Sequence, residues 1–106
     1  MAHVRQEALF AVLPTSIQER SADLTDVGSA EYAFPVDCLD QVFHILVQND
    51  FVILGGDLWR KVPEGFEPVF EGWYTDSPGE GAISAWRQFL IAASREPKYF
   101  ATFVVQ

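Results

Sequence analysis

Cysteine is almost absent from the sequence, since Cys38 is the only one among the 106 residues. A single cysteine cannot form an internal disulfide, and it excludes a zinc site with four cysteine ligands. The sequence also lacks an apolar run of about 18 residues, the length that a membrane-spanning helix requires. Its first residues lack the charged and then apolar pattern of a secretory signal peptide. These absences predict a cytoplasmic protein without a membrane partner.

Basic residues are scarce, with seven Lys and Arg against fifteen Asp and Glu, which gives a net charge of −8 at pH 7. No Lys or Arg occurs from Ser21 to Trp59, or from Val62 to Trp86. Such a chain repels nucleic-acid backbones and anionic membranes and attracts a basic partner. An acidic surface also keeps a small domain soluble without any basic partner, and composition alone leaves both interpretations open.

Apolar residues are abundant, at 49% of the chain with 14% aromatic, which argues against disorder. The length fits one domain spanning residues 1–106. Two segments have apolar residues at helical spacing and predict the main helices. In residues 35–49 the apolar positions are Leu39, Val42, Phe43, Leu46 and Val47, with Asn49 and Asp50 as the expected end. In the second segment they are Ile83, Trp86, Phe89, Leu90 and Ala93, and the helix is expected to end near Glu96 because Pro97 cannot continue it.

The remaining segments predict a small, mostly antiparallel sheet. Residues 51–54 are expected to form a buried strand, followed by a tight turn at Gly55-Gly56-Asp57 that uses positive φ. Residues 58–62 and 69–75 predict a hairpin whose loop exceeds the minimal two residues, and Gly72 indicates a bulge or a close backbone approach. Residues 76–81 are expected to be a loop, and the uncharged residues 99–105 a strand inside the sheet.

The predicted fold is therefore a two-layer α+β domain, in which two main helices pack on the sheet. Residues 4–13 have the spacing of a further short helix, although a strand is an open alternative there.

Established catalytic motifs are missing: there is no Walker-type loop, no Gly-x-Ser-x-Gly and no His-Glu-x-x-His. Cys38 and His44 fall on different faces of the predicted helix, which makes them a poor nucleophile–base pair. Asp40 and His44 have a spacing that metal sites use, but a solvated helix face explains two such residues better. We therefore expect no catalytic residue, no metal site and no cofactor.

The hairpin combines acidic and aromatic residues and is the best candidate for a binding surface. Trp73 and Tyr74 are adjacent in one strand, so they point to opposite faces unless a bulge at Gly72 intervenes. At least one large ring is thus a candidate for an exposed face, as is typical of protein interfaces. The candidate partner-binding residues are Asp57, Trp59, Glu64, Glu67, Glu71, Trp73 and Asp76.

Several short motifs, in order along residues 24–105, resemble the immunity protein 40 family, which is found beside polymorphic and contact-dependent toxins in bacteria. They are Tyr32-Ala33-Phe34-Pro35, Ile53-Leu54-Gly55-Gly56-Asp57, Trp73-Tyr74 and the final aromatic–aliphatic segment 99–105. The resemblance implies a non-catalytic protein that binds a cognate toxin and protects the producing cell. The recurring positions are Gly55, Gly56, Asp57, Trp73 and Tyr74, which the resemblance associates with the fold.

Three functional hypotheses remain open at this level. The first is an immunity protein whose toxin partner is a basic nuclease, since opposite charges speed association. The second is a small enzyme or ligand-binding module that uses the hairpin carboxylates Asp57, Glu67, Glu71 and Asp76. It requires a concave pocket with converging carboxylates, one of them with a raised pKa. The third is a homo-oligomer that buries the exposed aromatic rings.

Overall fold

A computed structural model describes residues 2–74, 80–95 and 98–106 of the chain. The helices are α1 (Ala2–Ala11), α2 (Thr15–Gln18), α3 (Leu39–Gln48) and α4 (Glu80–Ala93), with 3-10 helices at Leu24–Val27 and Val36–Cys38. The strands are β1 (Ala22–Asp23), β2 (Tyr32–Pro35), β3 (Ile53–Val62), β4 (Gly65–Tyr74), β5 (Tyr99–Ala101) and β6 (Val104–Val105). These elements confirm the predicted α+β class. Within the described ranges, no helix combines the length and apolar character that crossing a membrane requires.

The strands form one antiparallel sheet in the order β1-β2-β5-β3-β4, and β6 also pairs with β3. β5 lies between β2 and β3, which confirms the interior position predicted for the first part of the last segment, whereas β6 pairs with β3 alone among the described strands. Thr102 joins β5 to β6 along β3: its N–H donates to the Asp57 carbonyl at 3.0 Å, and its hydroxyl accepts from the Asp57 N–H at 3.3 Å. Among the described strands β4 pairs with β3 alone, so β4 is an edge strand.

A single buried cluster joins the main helices to the sheet. The buried residues of these helices are Leu39, Val42, Phe43 and Leu46 of α3 and Trp86, Phe89 and Ala93 of α4. The predicted apolar face of α3 included one residue too many. Val47 is 50% exposed and lies at the margin of that face. α4 ends at Ala93. The side chain of Ile83 and the residues Glu96 and Pro97 lie outside the described part of the chain.

The end of α3 confirms the role predicted for Asn49 and Asp50. Asp50 has a φ of +66°, and its N–H donates to the Val47 carbonyl at 3.1 Å. The N–H of Phe51 donates to the Leu46 carbonyl at 3.0 Å. This pair of bonds is a Schellman motif, in which Asp50 holds the left-handed position that glycine usually takes. The motif directs the chain from α3 into β3.

α1 confirms the helical interpretation of the N-terminal segment and fixes that helix to the sheet. The buried side chain of Gln6 donates to the Phe103 carbonyl at 2.8 Å and accepts from the Tyr32 N–H at 3.1 Å. These backbone groups lie where the pairing of β2 with β5 ends. Gln6 therefore satisfies two backbone groups that the sheet ladder leaves without a partner.

The predicted turn at Gly55-Gly56-Asp57 was wrong, because all three residues lie inside β3 and neither glycine has a positive φ. A Cβ on Gly55 would lie 2.2 Å from the Trp73 carbonyl oxygen, and one on Gly56 would lie 2.2 Å from the Thr102 carbonyl oxygen. The glycines are therefore required by the close approach of neighbouring strands, and tight turning plays no part.

The hairpin loop is also shorter than predicted. Val62 pairs with Gly65, so Pro63-Glu64 is a two-residue connection between β3 and β4. Gly65 has a φ of +136°, which other residues rarely adopt, and it lets the chain return directly into β4. The loop predicted at 76–81 is partly replaced by helix, because α4 begins at Glu80, while residues 75–79 lie outside the described residues.

Candidate partner-binding surface

The β3–β4 hairpin brings most of the predicted acidic residues to one exposed part of the sheet. Glu64 lies in the connecting turn, Glu67 and Glu71 lie on β4, and Asp57 lies on β3. All four side chains are exposed. Asp76 lies outside the described residues. The exposed carboxylates give the edge of the sheet a negative surface that a basic partner would complement.

Two of these carboxylates are held by arginines. Arg60 donates from Nη1 to Glu67 Oε1 at 2.9 Å, and Arg60 also lies over the Tyr99 ring, 5.7 Å from its centroid. Arg95, just beyond α4, has Nη2 at 3.7 Å from Glu71 Oε2. All these groups are exposed enough for water to screen them, so each pair contributes little to stability. The pairs instead restrict where the two carboxylates point.

The recurring positions singled out in the sequence are brought together across β3 and β4. Gly55 pairs with Tyr74, Gly56 with Trp73 and Asp57 with Gly72. Gly72 confirms the predicted close approach, because a Cβ there would lie 2.6 Å from Asp57 Oδ1 and from the Gly56 carbonyl oxygen. The Gly-Gly-Asp segment and the Trp-Tyr segment are therefore two halves of one cross-strand arrangement.

The two hairpin tryptophans are half-buried. The Trp73 ring lies 5.9 Å from the Trp86 ring and 6.1 Å from the Phe89 ring, so it packs beneath α4. Within the described residues, the buried indole N–H groups of Trp59 and Trp73 have no hydrogen-bond partner. An unpaired buried donor costs about 1–3 kcal/mol. Packing of the rings must outweigh this cost, and a partner can reach only the exposed parts of the two side chains.

The expectation that at least one large hairpin ring is exposed is confirmed by Phe70 and Tyr74, which are 91% and 71% exposed. Phe70 lies in a β-bulge. Between the pairs Asp57–Gly72 and Trp59–Pro68, Leu58 alone faces three residues of β4. The φ of Phe70 is +62°, a left-handed conformation that costs a residue with a Cβ roughly 1–2 kcal/mol.

Phe70 is not among the candidate binding residues that the sequence pattern predicted. The local signals are Pro68 and Gly72, which bracket the bulge and mark an interrupted edge strand. Neither residue reveals the positive φ, because that depends on the register of β4 against β3.

Catalytic chemistry finds little support in the described part of the chain. The buried polar side chains described are Gln6 and Thr102, and the carboxylates of Asp57, Glu67 and Glu71 are exposed. Cys38 is buried, its thiol donates to the Pro35 carbonyl at 3.4 Å, and burial raises its pKa, which disfavours the reactive thiolate.

Asp40 and His44 lie on an exposed face of α3, as predicted, and His44 Nε2 is 3.5 Å from Asp40 Oδ1. Asp40 Oδ1 also accepts from the indole N–H of Trp86 at 3.2 Å, so this carboxylate joins α3 to α4. The described residues contain no group of three or more His, Cys, Asp or Glu arranged to hold a metal ion.

A cavity of about 560 Å³ lies beside the turn end of the hairpin, where Lys61, Val62 and Pro63 line it, and the charged residues of its lining are mostly basic. Its basic lining residues are Arg20, Lys61 and Lys98. Arg20 donates from Nη2 to both carboxylate oxygens of Asp37, at 2.6 and 2.9 Å. Asp37 is the single carboxylate among the cavity's lining residues, so this cavity is not the pocket with converging carboxylates that the enzyme hypothesis requires.

The comparisons with known proteins agree with these observations. The family model described as Immunity protein 40 matches residues 23–91, which span β1 to most of α4. The match includes both halves of the cross-strand arrangement and the whole β3–β4 hairpin. No curated protein and no solved structure gives a significant match to the chain.

Proposed function

Because the chain belongs to the immunity protein 40 family, we propose that it binds a cognate bacterial toxin domain in the cytoplasm and neutralises it without catalysing a reaction. The producing cell is thereby protected from its own toxin. Family membership supports the immunity role in general. The nature of the partner is argued from the surface of the hairpin.

The exposed acidic hairpin is the observation that carries the proposed partner chemistry. Asp57, Glu64, Glu67 and Glu71 are exposed together, and no Lys or Arg occurs from Val62 to Trp86. Arg60 and Arg95 pair with Glu67 and Glu71, so Asp57 and Glu64 carry most of the free negative charge of the hairpin. A toxin with a basic cleft, such as a nuclease that binds phosphates, has the complementary charge. Electrostatic steering would bring the two proteins together quickly, which suits an inhibitor that must act before damage occurs.

The absence of catalysis is supported by the environments of the groups that an enzyme would use. The hairpin carboxylates Asp57, Glu64, Glu67 and Glu71 are exposed, and the single thiol of the sequence, Cys38, is buried and has a raised pKa. A hydrolase or ligand-binding module working through Asp57, Glu67 and Glu71 would need a desolvated carboxyl among them. Inhibition by occupying a surface of the toxin needs only complementary shape and charge.

Co-expression with the toxin domain encoded by the adjacent gene tests the proposal. Cells that produce the toxin should lose viability, and the wild-type chain should restore growth. Failure of the chain to relieve toxicity would refute the immunity function. Purified chain should also form a complex with a catalytically inactivated form of the toxin domain.

The role of the acidic hairpin is tested separately by a pair of charge reversals. Glu64→Lys in the hairpin turn should slow association by about threefold at low salt, since rim charges act mainly on the association rate. Glu19→Lys, at the end of α2, changes the net charge equally at another exposed position and should have less effect. Equal effects of the two variants would show that only total charge matters. A wild-type association rate that does not fall with rising salt would refute the basic partner.

A further inference from the structure

The backbone conformation of Phe70 is intrinsically unfavourable for its residue type. Its φ of +62° is unfavourable for any residue with a Cβ, and phenylalanine lacks the polar group with which Asn or Asp stabilises this conformation locally. Its ring is 91% exposed, so the strained backbone is not compensated by burial of the side chain. Strain that is maintained without a benefit to the fold is a feature of functional sites.

In the sequence of β4, Phe70 lies between two glutamates that form exposed ion pairs. Glu67 pairs with Arg60 and Glu71 pairs with Arg95. The strand therefore combines an exposed aromatic ring with neighbouring charged residues. Protein interfaces combine the same residue types, with a central aromatic anchor that carries much of the affinity and a polar rim that excludes water.

β4 is an edge strand, yet its middle is unsuited to pairing with a strand of another protein. Pro68 has no N–H to donate, and the bulge between Pro68 and Gly72 interrupts the regular row of backbone groups. A partner at this position must therefore recognise side chains. The ring of Phe70 requires an apolar pocket. The exposed carboxylates of Asp57 and Glu64, together with the net charge of −8, favour a basic rim beside that pocket.

We propose that Phe70 is the apolar anchor of the toxin interface and inserts into a pocket with a basic rim on the toxin domain. This inference rests on the proposed immunity function and adds the contact residue and the shape of its complement. The bulge is the device that presents the ring, because a regular strand would place residue 70 in the ladder opposite β3.

The test uses Phe70→Asn, which removes the ring and leaves a residue that tolerates positive φ. The affinity of the full chain for the catalytically inactivated toxin domain of the adjacent gene should fall about 30-fold or more, as for an anchor residue. Thermal unfolding should occur at the same or a higher temperature, which would exclude misfolding as the cause. Val47→Ala removes another exposed apolar side chain, on α3, and should leave the affinity unchanged.

The outcomes separate this inference from the proposed function. If the wild-type chain binds the toxin domain and Phe70→Asn binds within threefold of it, the anchor is refuted and immunity stands. If the wild-type chain neither binds nor protects, both proposals fail. If the wild-type chain is a dimer in solution and Phe70→Asn converts it to a monomer without loss of toxin affinity, the ring belongs to a contact between copies, and the inference is overturned.

Discussion

Trp73 and Phe70 lie three residues apart on β4, and they illustrate two regions with different physical demands. Trp73 is half-buried beneath α4, where its ring packs against the aromatic core that includes Trp86 and Phe89. Phe70 lies in the bulge of the same strand with its ring in water. Burial of apolar surface explains the first residue. Nothing in the packing explains the second, so the two regions separate what the fold requires from what it presents to a partner.

The core region should show the largest loss of stability. Trp86 is 2% exposed, and its ring stacks on Phe43 with centroids 4.7 Å apart and planes 3° from parallel. Trp86→Ala should lower the free energy of unfolding by about 3–5 kcal/mol, because it leaves a large cavity among aromatic side chains. Denaturant unfolding measures this loss. Trp86→Phe keeps much of the packing but removes the hydrogen bond to Asp40, so its loss should be clearly smaller.

The glycine pair of β3 should show the next largest effect. A Cβ on Gly56 would meet the backbone oxygen of Thr102, which cannot rotate away as a side chain would. Gly56→Ala should therefore destabilise the protein by about 1–3 kcal/mol, the range for forced overpacking. Gly28→Ala is the control, because Gly28 has a φ of +89° but open space around its Cβ position. The cost of Gly28→Ala therefore measures backbone conformation alone. If Gly56→Ala is as stable as the wild type, crowding at Gly56 is refuted.

The bulge should respond with the opposite sign. Phe70→Asn relieves an unfavourable conformation and removes no buried surface, so it should raise the free energy of unfolding by about 0.5–1 kcal/mol. The same denaturant experiment measures this gain. A loss of stability above about 1 kcal/mol would show that the ring supports the fold, and the contrast between Phe70 and Trp73 would disappear.

The sequence predicted the parts of the fold that depend on local periodicity. The helical spacing of Leu39, Val42, Phe43 and Leu46 located α3. The uncharged segment 99–105 was predicted inside the sheet, and its first part, β5, lies there. These signals are carried by neighbouring residues and need no knowledge of the partner elements.

What the sequence could not predict depends on contacts between distant segments. Gly55-Gly56 has the composition of a turn, and only the approach of Trp73 and Thr102 shows why glycine is needed within a strand. The exposure of Phe70 follows from a register shift between β3 and β4, which has no signature in either strand alone. The acidic hairpin was found from composition, but its aromatic centre was not.

The smallest expected effect lies outside both regions, at the contact between α1 and β2. The Tyr32 hydroxyl donates to Glu7 Oε1 at 2.6 Å, and this hydrogen bond, together with desolvation and the negative charge of Glu7, raises the pKa of Tyr32 from 10.0 to about 12. The folded chain therefore holds the hydroxyl proton more tightly than the unfolded chain does. The resulting stabilisation is fully present below pH 10 and is lost as the pH rises through about 12.

Glu7→Ala provides the test, since it removes the acceptor and the charge from an exposed position of α1 and leaves a good helix former. An absorbance titration of tyrosinate should show one tyrosine of the variant ionising at lower pH than in the wild type. The difference in unfolding free energy between the two proteins should shrink as the pH rises through the range from 10.0 to about 12. An unchanged titration would mean that the hydrogen bond does not form in solution. Because this contact involves neither the aromatic core nor the bulge, Glu7→Ala should leave toxin affinity unchanged, which makes it a further control for the contrast between Trp73 and Phe70.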